Sequence, residues 1–384
     1  MSRRAFVVVL DAVGAGALPD AADYGDAGTN TLLHLAQEVG GLDLPALEHL
    51  GLGCVLDLPG VTPSPAPVLH GRLHALGPGK DSITGHWELM GVVAQAPPPT
   101  YPEGFPPEVI AVLEQATGRR FCCNRPYDGM RAIEDFGARH LETGELILYT
   151  SQDSVLQIAA HVDRVADAEL QELCAAARAA LPASHAVGRV IARPFAGAPG
   201  AFERTPGRRD FALAPPHRSY LDALRDAGVP VHAVGKVGDL FAGAGIDHRH
   251  PGADNAQALA STEALVRGLD GGLVFTNLIE TDQVYGHRKD VDGFHRALQE
   301  IDAAVARWLG LLGEEDLLVL SADHGVDPRA PHSDHTREHA PLLARFPGHG
   351  GRRHDGPMAD VGASVLKWLA DTEDAELPGL PFTE

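Results

Sequence analysis

Four short, mainly apolar runs constrain the fold of this chain more than any other feature. Such a run predicts a strand buried on both faces of a parallel sheet, because a sheet with one solvated face shows alternating polar residues instead. Helical patterns alternate with the runs along the chain, which predicts a doubly wound α/β core. The runs are Ala5–Leu10, Val229–Val234, Leu273–Ile279 and Leu317–Ser321, and the helical patterns are Ser219–Ala227, Thr262–Leu269, Gly293–Leu312 and Ala359–Ala370.

Three of these runs end beside a carboxylate. Asp11 follows the first run, Asp282 the third and Asp323 the fourth. In open α/β sheets the ligand crevice lies outside the carboxyl ends of the parallel strands, so these side chains are expected to meet there. The sequence therefore predicts a functional site at this edge of the sheet.

Two proline clusters indicate an inserted domain. Pro97–Pro99 and Pro215–Pro216 are typical boundaries between folding units, and separate strand and helix patterns lie between them. We expect a smaller α/β domain over residues 96–218, inserted between core segments 1–95 and 219–384. The chain length of 384 residues suits such an arrangement, because a single small core does not grow to this size.

The charge balance excludes two classes of partner. The chain has 31 Lys and Arg against 52 Asp and Glu, a formal net charge of −21, whereas nucleic-acid and anionic-membrane surfaces need a basic field.

No run approaches the roughly 20 apolar residues of a membrane span. The four cysteines contain no CxxC pair, which favours a reducing cytoplasm over a disulfide framework or a structural zinc site.

Clustered aspartates and histidines predict a metal centre. The set consists of the aspartate after the first run, an Asp-x4-His pair, an Asp-His-Gly triplet and one later histidine. Three carboxylates and three imidazoles suffice for two divalent cations and suit Mn²⁺, Zn²⁺ or Mg²⁺. The candidate ligands are Asp11, Asp282, His287, Asp323, His324 and His335. The neighbouring His332 is interpreted as a solvated loop histidine.

The segment from Gly79 to Glu88 offers a hydroxyl nucleophile. Lys80, one of only four lysines, stands beside Ser82 and Thr84. A hydroxyl next to two divalent cations ionises more readily and can attack phosphorus. The alternative is an ordinary helix cap, with Ser82 as the N-cap and Gly85 as a turn residue. Together with the metal set, the nucleophile interpretation is favoured.

Two further patterns in the sequence are weaker. The Gly-Ala-Gly after the first run is not a dinucleotide-binding fingerprint, because Pro19 stands where its third glycine belongs. Four cations, Arg189, Arg193, Arg204 and Lys236, could clamp a substrate phosphate. The alternative for these four is a set of surface charges.

Six stretches distributed over nearly the whole chain resemble the phosphopentomutases, a family within the alkaline phosphatase superfamily of two-metal enzymes. The KDxxTGHWE, YGHRxD and DHTRE patterns are specific to this family. The stretches are Val9–Gly16, Gly79–Glu88, Tyr149–His161, Gly188–Pro194, Asn277–Asp290 and Ala322–Glu338. The resemblance implies an alkaline-phosphatase-like core sheet with the inserted domain acting as a cap.

The resemblance also implies a reaction and a ligand set. Asp11, Asp323 and His324 would hold one divalent cation and Asp282, His287 and His335 the other, with Mn²⁺ expected. Ser82 would carry the phosphoryl group while α-D-ribose 1-phosphate and D-ribose 5-phosphate, or their 2-deoxy forms, interconvert through a 1,5-bisphosphate. The pentose phosphate would be contacted by Ser151, Asp153, Arg193, Arg204 and Lys236.

The sequence departs from the family pattern at three positions. Ser82 stands where the family usually has threonine, so the choice between Ser82 and Thr84 as the nucleophile stays open. Glu280 and Val326 replace an aspartate and an asparagine, but neither position is a ligand in the pattern. The alternatives to a mutase are a metal-dependent phosphatase or phosphodiesterase of the same superfamily, and a non-catalytic metal-binding protein, which the complete ligand set disfavours. The sequence does not determine the oligomeric state, and a monomer is compatible with it.

Overall fold

Residues 3–96, 98–151, 154–348 and 350–384 are described by the computed structural model of this chain, and they belong to two units. The larger unit comprises Met1–Ala96 and Pro215–Glu384, and the smaller comprises Pro97–Ala214. The boundaries expected from the proline clusters were 96 and 218. Within the described ranges, no helix is both long enough and apolar enough to cross a membrane.

Strands and helices alternate through most of the described chain. The strands are β1 Arg4–Leu10, β2 Leu69–His74, β3 Phe121–Pro126, β4 Leu146–Thr150, β5 Val155–His161, β6 Arg189–Ala198, β7 Ala201–Arg204, β8 Arg209–Ala212, β9 Val231–Val234, β10 His248–His250, β11 Gly272–Leu278, β12 Asp316–Ser321, β13 Ala340–Arg345 and β14 Gly356–Pro357. The helices are α1 Thr31–Glu38, α2 Pro45–Leu50, α3 Leu52–Val55, α4 Ser82–Leu89, α5 Pro107–Thr117, α6 Gly129–Thr143, α7 Asp167–Ala180, α8 Tyr220–Asp226, α9 Val237–Leu240, α10 Asn255–Gly268, α11 Val291–Leu309 and α12 Asp360–Ala370. Short 3₁₀ turns occur at Ala21–Tyr24 and Ala183–His185, and a π-helical turn at Thr281–Gly286.

The larger unit is built on an eight-stranded sheet in the order β10-β9-β11-β1-β12-β13-β2-β14. The first five strands of this order run parallel, with Val8 paired to Thr276 on one side and Leu320 on the other. All seven residues of β11 are buried, as expected for a strand covered by helices on both faces. The predicted α/β class and all four predicted core strands are therefore confirmed.

Two helices of the larger unit differ from their predicted bounds because aspartates cap them. Asp254 accepts a hydrogen bond from the backbone of Gln257 at 2.8 Å, so α10 begins well before the predicted Thr262. Asp290 accepts from Gly293 at 2.9 Å and begins α11 at Val291. An N-cap side chain satisfies one of the free amides at a helix start and so determines where the helix begins.

The smaller unit has its own sheet and its own core. Strands β3-β4-β5-β6-β7 pair in that order and β8 pairs with β6. Helices α5 and α7 contribute Val109, Leu113 and Leu170 to one buried cluster. Helix α6 contributes Ala132 and Ile133 to the other. Two faces of buried apolar residues make this unit a separate α/β layer structure.

Candidate metal centre and active site

Three adjacent parallel strands carry the predicted carboxylates at their carboxyl ends. Asp11 directly follows β1, and Asp323 lies two residues after β12. Asp282 lies in the π-helical turn that follows β11. Because β11, β1 and β12 are neighbours in the sheet, the three side chains lie at one edge, and each is at most 7 % exposed.

One group of possible ligands consists of Asp282, His287 and His335, whose nearest donor atoms all lie within 4.8 Å of one another. The Nε2 atoms of His287 and His335 lie 3.4 and 3.6 Å from Asp282 Oδ1. This is the set that the family resemblance assigned to one of the two cations.

A second group consists of Asp11, Asp282 and His324, again within 4.8 Å. His324 Nε2 lies 3.3 Å from Asp11 Oδ1. The resemblance had assigned Asp323 rather than Asp282 to this cation. Asp323 is outside this group, although its Oδ2 lies 3.5 Å from His324 Nε2. Asp282 is a member of both groups.

Backbone carbonyls hold two of the imidazoles in the tautomer that metal binding requires. His287 Nδ1 lies 2.7 Å from the carbonyl oxygen of Ser333, and His324 Nδ1 lies 3.1 Å from that of Gly325. A carbonyl oxygen only accepts, so each Nδ1 carries the hydrogen and each Nε2 keeps its lone pair. Such outer hydrogen bonds orient metal-binding histidines.

The charges and unsatisfied oxygens at the site fit a bound cation. Burial, together with the charge of Asp11, raises the pKa of Asp282 to about 7. Burial also acts to raise the pKa of Asp323, but the imidazoles of His324 and His86 hold it at about 2. Asp282 Oδ1 is buried without a hydrogen-bond partner among the described residues, and the Nε2 atoms of His287 and His335 are its nearest imidazole neighbours. Unpartnered carboxylate oxygens of this kind, beside free imidazole nitrogens, fit divalent cations.

Two residues that the sequence analysis missed contact the predicted carboxylates: Asn277 contacts Asp11, and His86 contacts Asp323. Asn277 Nδ2 donates to Asp11 Oδ2 at 2.8 Å and lies 3.2 Å from His86 Nε2. His86 Nδ1 lies 2.8 Å from the carbonyl oxygen of Ser82 and 3.0 Å from Asp323 Oδ2. These contacts place the hydrogen of neutral His86 on Nδ1. The KDxxTGHWE pattern contains His86, but no sequence signal linked it to Asn277.

Ser82 is the first residue of helix α4, and its hydroxyl faces two of the candidate metal ligands. Its hydroxyl oxygen lies 3.4 Å from Asp11 Oδ1 and 3.1 Å from His324 Nε2. The alternative interpretation of Ser82 as the N-cap is wrong, because Asp81 caps the helix by accepting from the amides of Ile83 and Thr84. Gly85 lies inside the helix rather than at a turn.

Thr84 is engaged elsewhere. Its hydroxyl donates to Asp81 Oδ2 at 2.9 Å, and the side chain is 2 % exposed. The two hydroxyls left open by the sequence thus occupy different environments: one faces the ligand groups and the other closes a helix cap.

His332 lies in a loop with 32 % of its side chain exposed, as interpreted, but it also has a buried partner. Its Nε2 lies 2.9 Å from Oδ1 of Asp26, and the side chain of Asp26 is completely buried. The sequence analysis overlooked this partner because Asp26 and His332 are far apart in the chain, and neither residue lies in a recognisable motif with the other.

The predicted substrate contacts are distributed over both units. In the smaller unit, Ser151 follows β4, Arg193 lies on β6 with its Nε 3.1 Å from Gln157 Oε1, and the guanidinium of Arg204 lies beside Gly129. In the larger unit, Lys236 Nζ donates to Gln283 Oε1 at 2.6 Å. Asp153 lies outside the described residues. These contacts stay predictions. The related cation Arg189 lies 3.7 Å from Asp210.

Comparisons with known proteins identify the fold and the family of this chain. A family model described as the metalloenzyme superfamily matches residues 3–371. A solved structure of a Pyrococcus horikoshii protein matches 97 % of this chain and 98 % of its own with a TM-score of 0.52 at 13 % identity, a likeness in fold alone. The chain is thus a divalent-metal-binding member of the metalloenzyme superfamily with the predicted alkaline-phosphatase-like fold.

Curated relatives identify the family within this superfamily. The phosphopentomutase of Caldanaerobacter subterraneus is 46 % identical over 372 residues, covering 96 % of this chain and 94 % of that protein. The phosphopentomutase of Anaeromyxobacter sp. strain K is 47 % identical over 378 residues, covering 97 % of each. The chain belongs to the phosphopentomutase family, which confirms the resemblance drawn from its motifs.

Proposed function

We propose that this chain catalyses the phosphopentomutase reaction, the interconversion of α-D-ribose 1-phosphate and D-ribose 5-phosphate and of their 2-deoxy forms. One observation carries the proposal beyond family membership. The Ser82 hydroxyl lies 3.4 Å from Asp11 Oδ1 and 3.1 Å from His324 Nε2, beside two members of the second ligand group. A nucleophile in that position suits transfer of a phosphoryl group through the enzyme.

We propose Mn²⁺ as the cation at both positions, since the donors are carboxylate oxygens and imidazole nitrogens without a thiolate. His287 and His335 would hold one ion and His324 the other, with Asp11, Asp282 and Asp323 supplying the carboxylates. Bound divalent cations lower the pKa of a nearby hydroxyl and neutralise the oxygens of a transferring phosphoryl group.

Ser82 carries the phosphoryl group in the proposed mechanism. The bond between Ser82 Oγ and phosphorus breaks as the free hydroxyl of the sugar phosphate bonds to phosphorus, and the proton of that hydroxyl passes to Ser82. The product is a 1,5-bisphosphate. Ser82 then takes the other phosphoryl group, and its proton passes to the sugar oxygen that is released. Asn277 and His86 keep Asp11 and Asp323 oriented throughout.

The cysteines and the proposed substrate support a cytoplasmic setting. Cys54, Cys122, Cys123 and Cys174 are all free, as is usual in a reducing compartment. We therefore propose that the enzyme acts in the cytoplasm on free pentose phosphates.

A coupled assay tests the proposal. Purified protein with saturating Mn²⁺ should convert ribose 1-phosphate into ribose 5-phosphate while releasing far less than one phosphate per product. Asp282→Ala and His335→Ala should each lower kcat at least about 1,000-fold, because each removes a proposed ligand. Asp292→Ala and His217→Ala, which change exposed residues of the same types, serve as matched controls.

The results separate the alternatives. Stoichiometric release of free phosphate would identify a phosphatase and overturn the mutase proposal. Near-normal kcat in either ligand variant would show that the residue is not a ligand. Metal bound without turnover of any phosphate ester would favour the non-catalytic protein.

A further inference from the structure

The carboxylate of Asp26 joins two segments of the active site that the proposed mechanism leaves unconnected. It is completely buried, yet three donors reach it. Lys80 Nζ lies 3.0 Å and the backbone nitrogen of Arg337 2.8 Å from Oδ2, while His332 Nε2 lies 2.9 Å from Oδ1. A buried carboxylate with this many partners is stable only when they all stay in place.

The tautomer of His332 follows from its second contact. The backbone N–H of Asp334 donates to His332 Nδ1 at 3.3 Å, so Nδ1 is the acceptor. The hydrogen of the neutral ring is therefore on Nε2 and is donated to Asp26. Asp334 in turn accepts from the backbone of His335 at 2.8 Å. The chain of contacts thus runs from Asp26 to a proposed metal ligand.

Lys80 links the same carboxylate to the nucleophile. It stands two residues before Ser82, and its ammonium also lies 3.8 Å from Asp334 Oδ2. The side chain of Arg337 makes a parallel link, because its Nη1 donates to the carbonyl oxygen of Gly79 at 2.7 Å.

We propose that Asp26 is a positioning residue that holds the loop of residues 332–337, which carries His335, against the segment of residues 79–82, which carries Ser82. Neither segment is a helix or strand between its Asp26 contact and its functional residue, so neither has a regular hydrogen-bond ladder of its own to set the spacing. Displacing a catalytic group by about 1 Å can lower a rate about 100-fold. The inference rests on the proposed function, because it takes His335 as a ligand and Ser82 as the nucleophile.

Two variants of His332 test the inference in the full-length protein. His332→Leu removes the donor to Asp26, whereas His332→Gln retains an N–H at similar reach. The side chain is 32 % exposed, so both variants should fold. Calorimetric titration of the metal-free protein with Mn²⁺ should show one of two sites weakened about 10- to 100-fold by His332→Leu. The kcat should fall by a similar factor with little change in KM, and His332→Gln should stay within about threefold of the wild type for both.

Asp26→Asn provides an independent check on the same point. It removes the negative charge that pairs with Lys80. Its amide N–H group would also face a hydrogen-bond donor at a position where a carboxylate oxygen accepts a hydrogen bond in the wild type. The variant should therefore weaken the same Mn²⁺ site. A purely structural role would lower the thermal midpoint of the metal-free protein and leave the affinity of both sites in the folded protein unchanged. That result, in both Asp26→Asn and His332→Leu, would overturn the inference. Should Asp26→Asn not fold, the His332 pair decides alone.

His335→Ala separates a failure of the inference from a failure of the proposed function. If His335→Ala binds two ions as tightly as the wild type, the proposed ligand set is wrong and the inference is overturned with it. If His335→Ala loses one site while His332→Leu retains both sites and full kcat, the proposed function stands and the inference alone is wrong.

Discussion

At the scale of single residues, the two candidate hydroxyls have different partners, and this difference supports the proposal that Ser82 reacts. Ser82 and Thr84 stand on the first turn of one helix, but only Ser82 faces Asp11 and His324, while Thr84 closes the cap with Asp81. The nucleophile needs an oxygen that is free to approach phosphorus. The structure therefore favours Ser82 for a reason that the motif alone could not supply.

Phosphate should accordingly be found on Ser82. Mass spectrometry of active enzyme should place it on Ser82 and leave Thr84 unmodified. Ser82→Ala should abolish mutase activity, and Ser82→Thr should retain it within about tenfold, because the hydroxyl keeps its position on the first turn of α4. A phosphate on Thr84 with Ser82 unmodified would reverse the assignment.

At the scale of elements, helix α4 approaches the metal centre through a glycine. A Cβ atom at Gly85 would lie 2.3 Å from the carbonyl oxygen of Asp323. Gly85→Ala must therefore push the helix and the Asp323 segment apart, with a loss of about 1–3 kcal/mol in the free energy of unfolding. Calorimetric Mn²⁺ affinity should fall as well. Gly268→Ala, at a helical glycine with open space around it, is the matched control. Unchanged stability and affinity in Gly85→Ala would contradict this packing.

A second element, the β9–β10 edge of the sheet, should make stability depend on pH. His232 Nδ1 lies 3.0 Å from His250 Nε2, and the ring of His248 stacks 4.4 Å from that of His232. Burial, helped by these two neighbours and opposed by Asp247, lowers the pKa of His232 to about 4.

The sign of the effect follows from linkage. An unfolded histidine has a pKa of about 6.5, so between pH about 6.5 and 4 the unfolded chain binds a proton that folded His232 refuses. Stability should fall as the pH drops through that window. Between pH about 7 and 4.5, the free energy of unfolding of His232→Gln should fall by about 1 kcal/mol less than that of the wild type. This value is already reduced because the ring of His232 is partly exposed to solvent. Denaturant unfolding at both pH values measures this, with His217→Gln as the exposed control. Equal losses in wild type and His232→Gln would exclude the contribution.

At the scale of the whole molecule, all six proposed ligands lie in the larger unit. Chelating the metal should leave mutually repelling carboxylates at the ends of β1, β11 and β12 and loosen the backbone there. Hydrogen exchange should speed up in peptides covering 11–16, 281–287 and 323–335 after chelation. Peptides covering β4 and β5 in the smaller unit should exchange as before. Equal acceleration in both units would show that the metal stabilises more than its own unit.

Much of this architecture is determined by local sequence patterns. The apolar runs predicted the four parallel core strands because burial on both faces leaves a signature within a few residues. The candidate ligands were identified by residue type and spacing at the ends of those runs. The family motifs added the chemistry, since the specific patterns around Ser82 and His335 are local as well.

Contacts between distant segments were decided only by the tertiary structure. Strand β13 pairs antiparallel with β2 through Ala340 and Leu73, and neither strand was predicted. The Asp26–His332 contact and the Asn277–His86 pair likewise join segments far apart in the chain. Periodicity and spacing report on neighbours along the chain, whereas the partner of a buried polar group depends on which loops the packed sheet brings together. The sequence therefore determines which residues can bind metal and transfer phosphate, and the packed core decides which of them are held in position to do so.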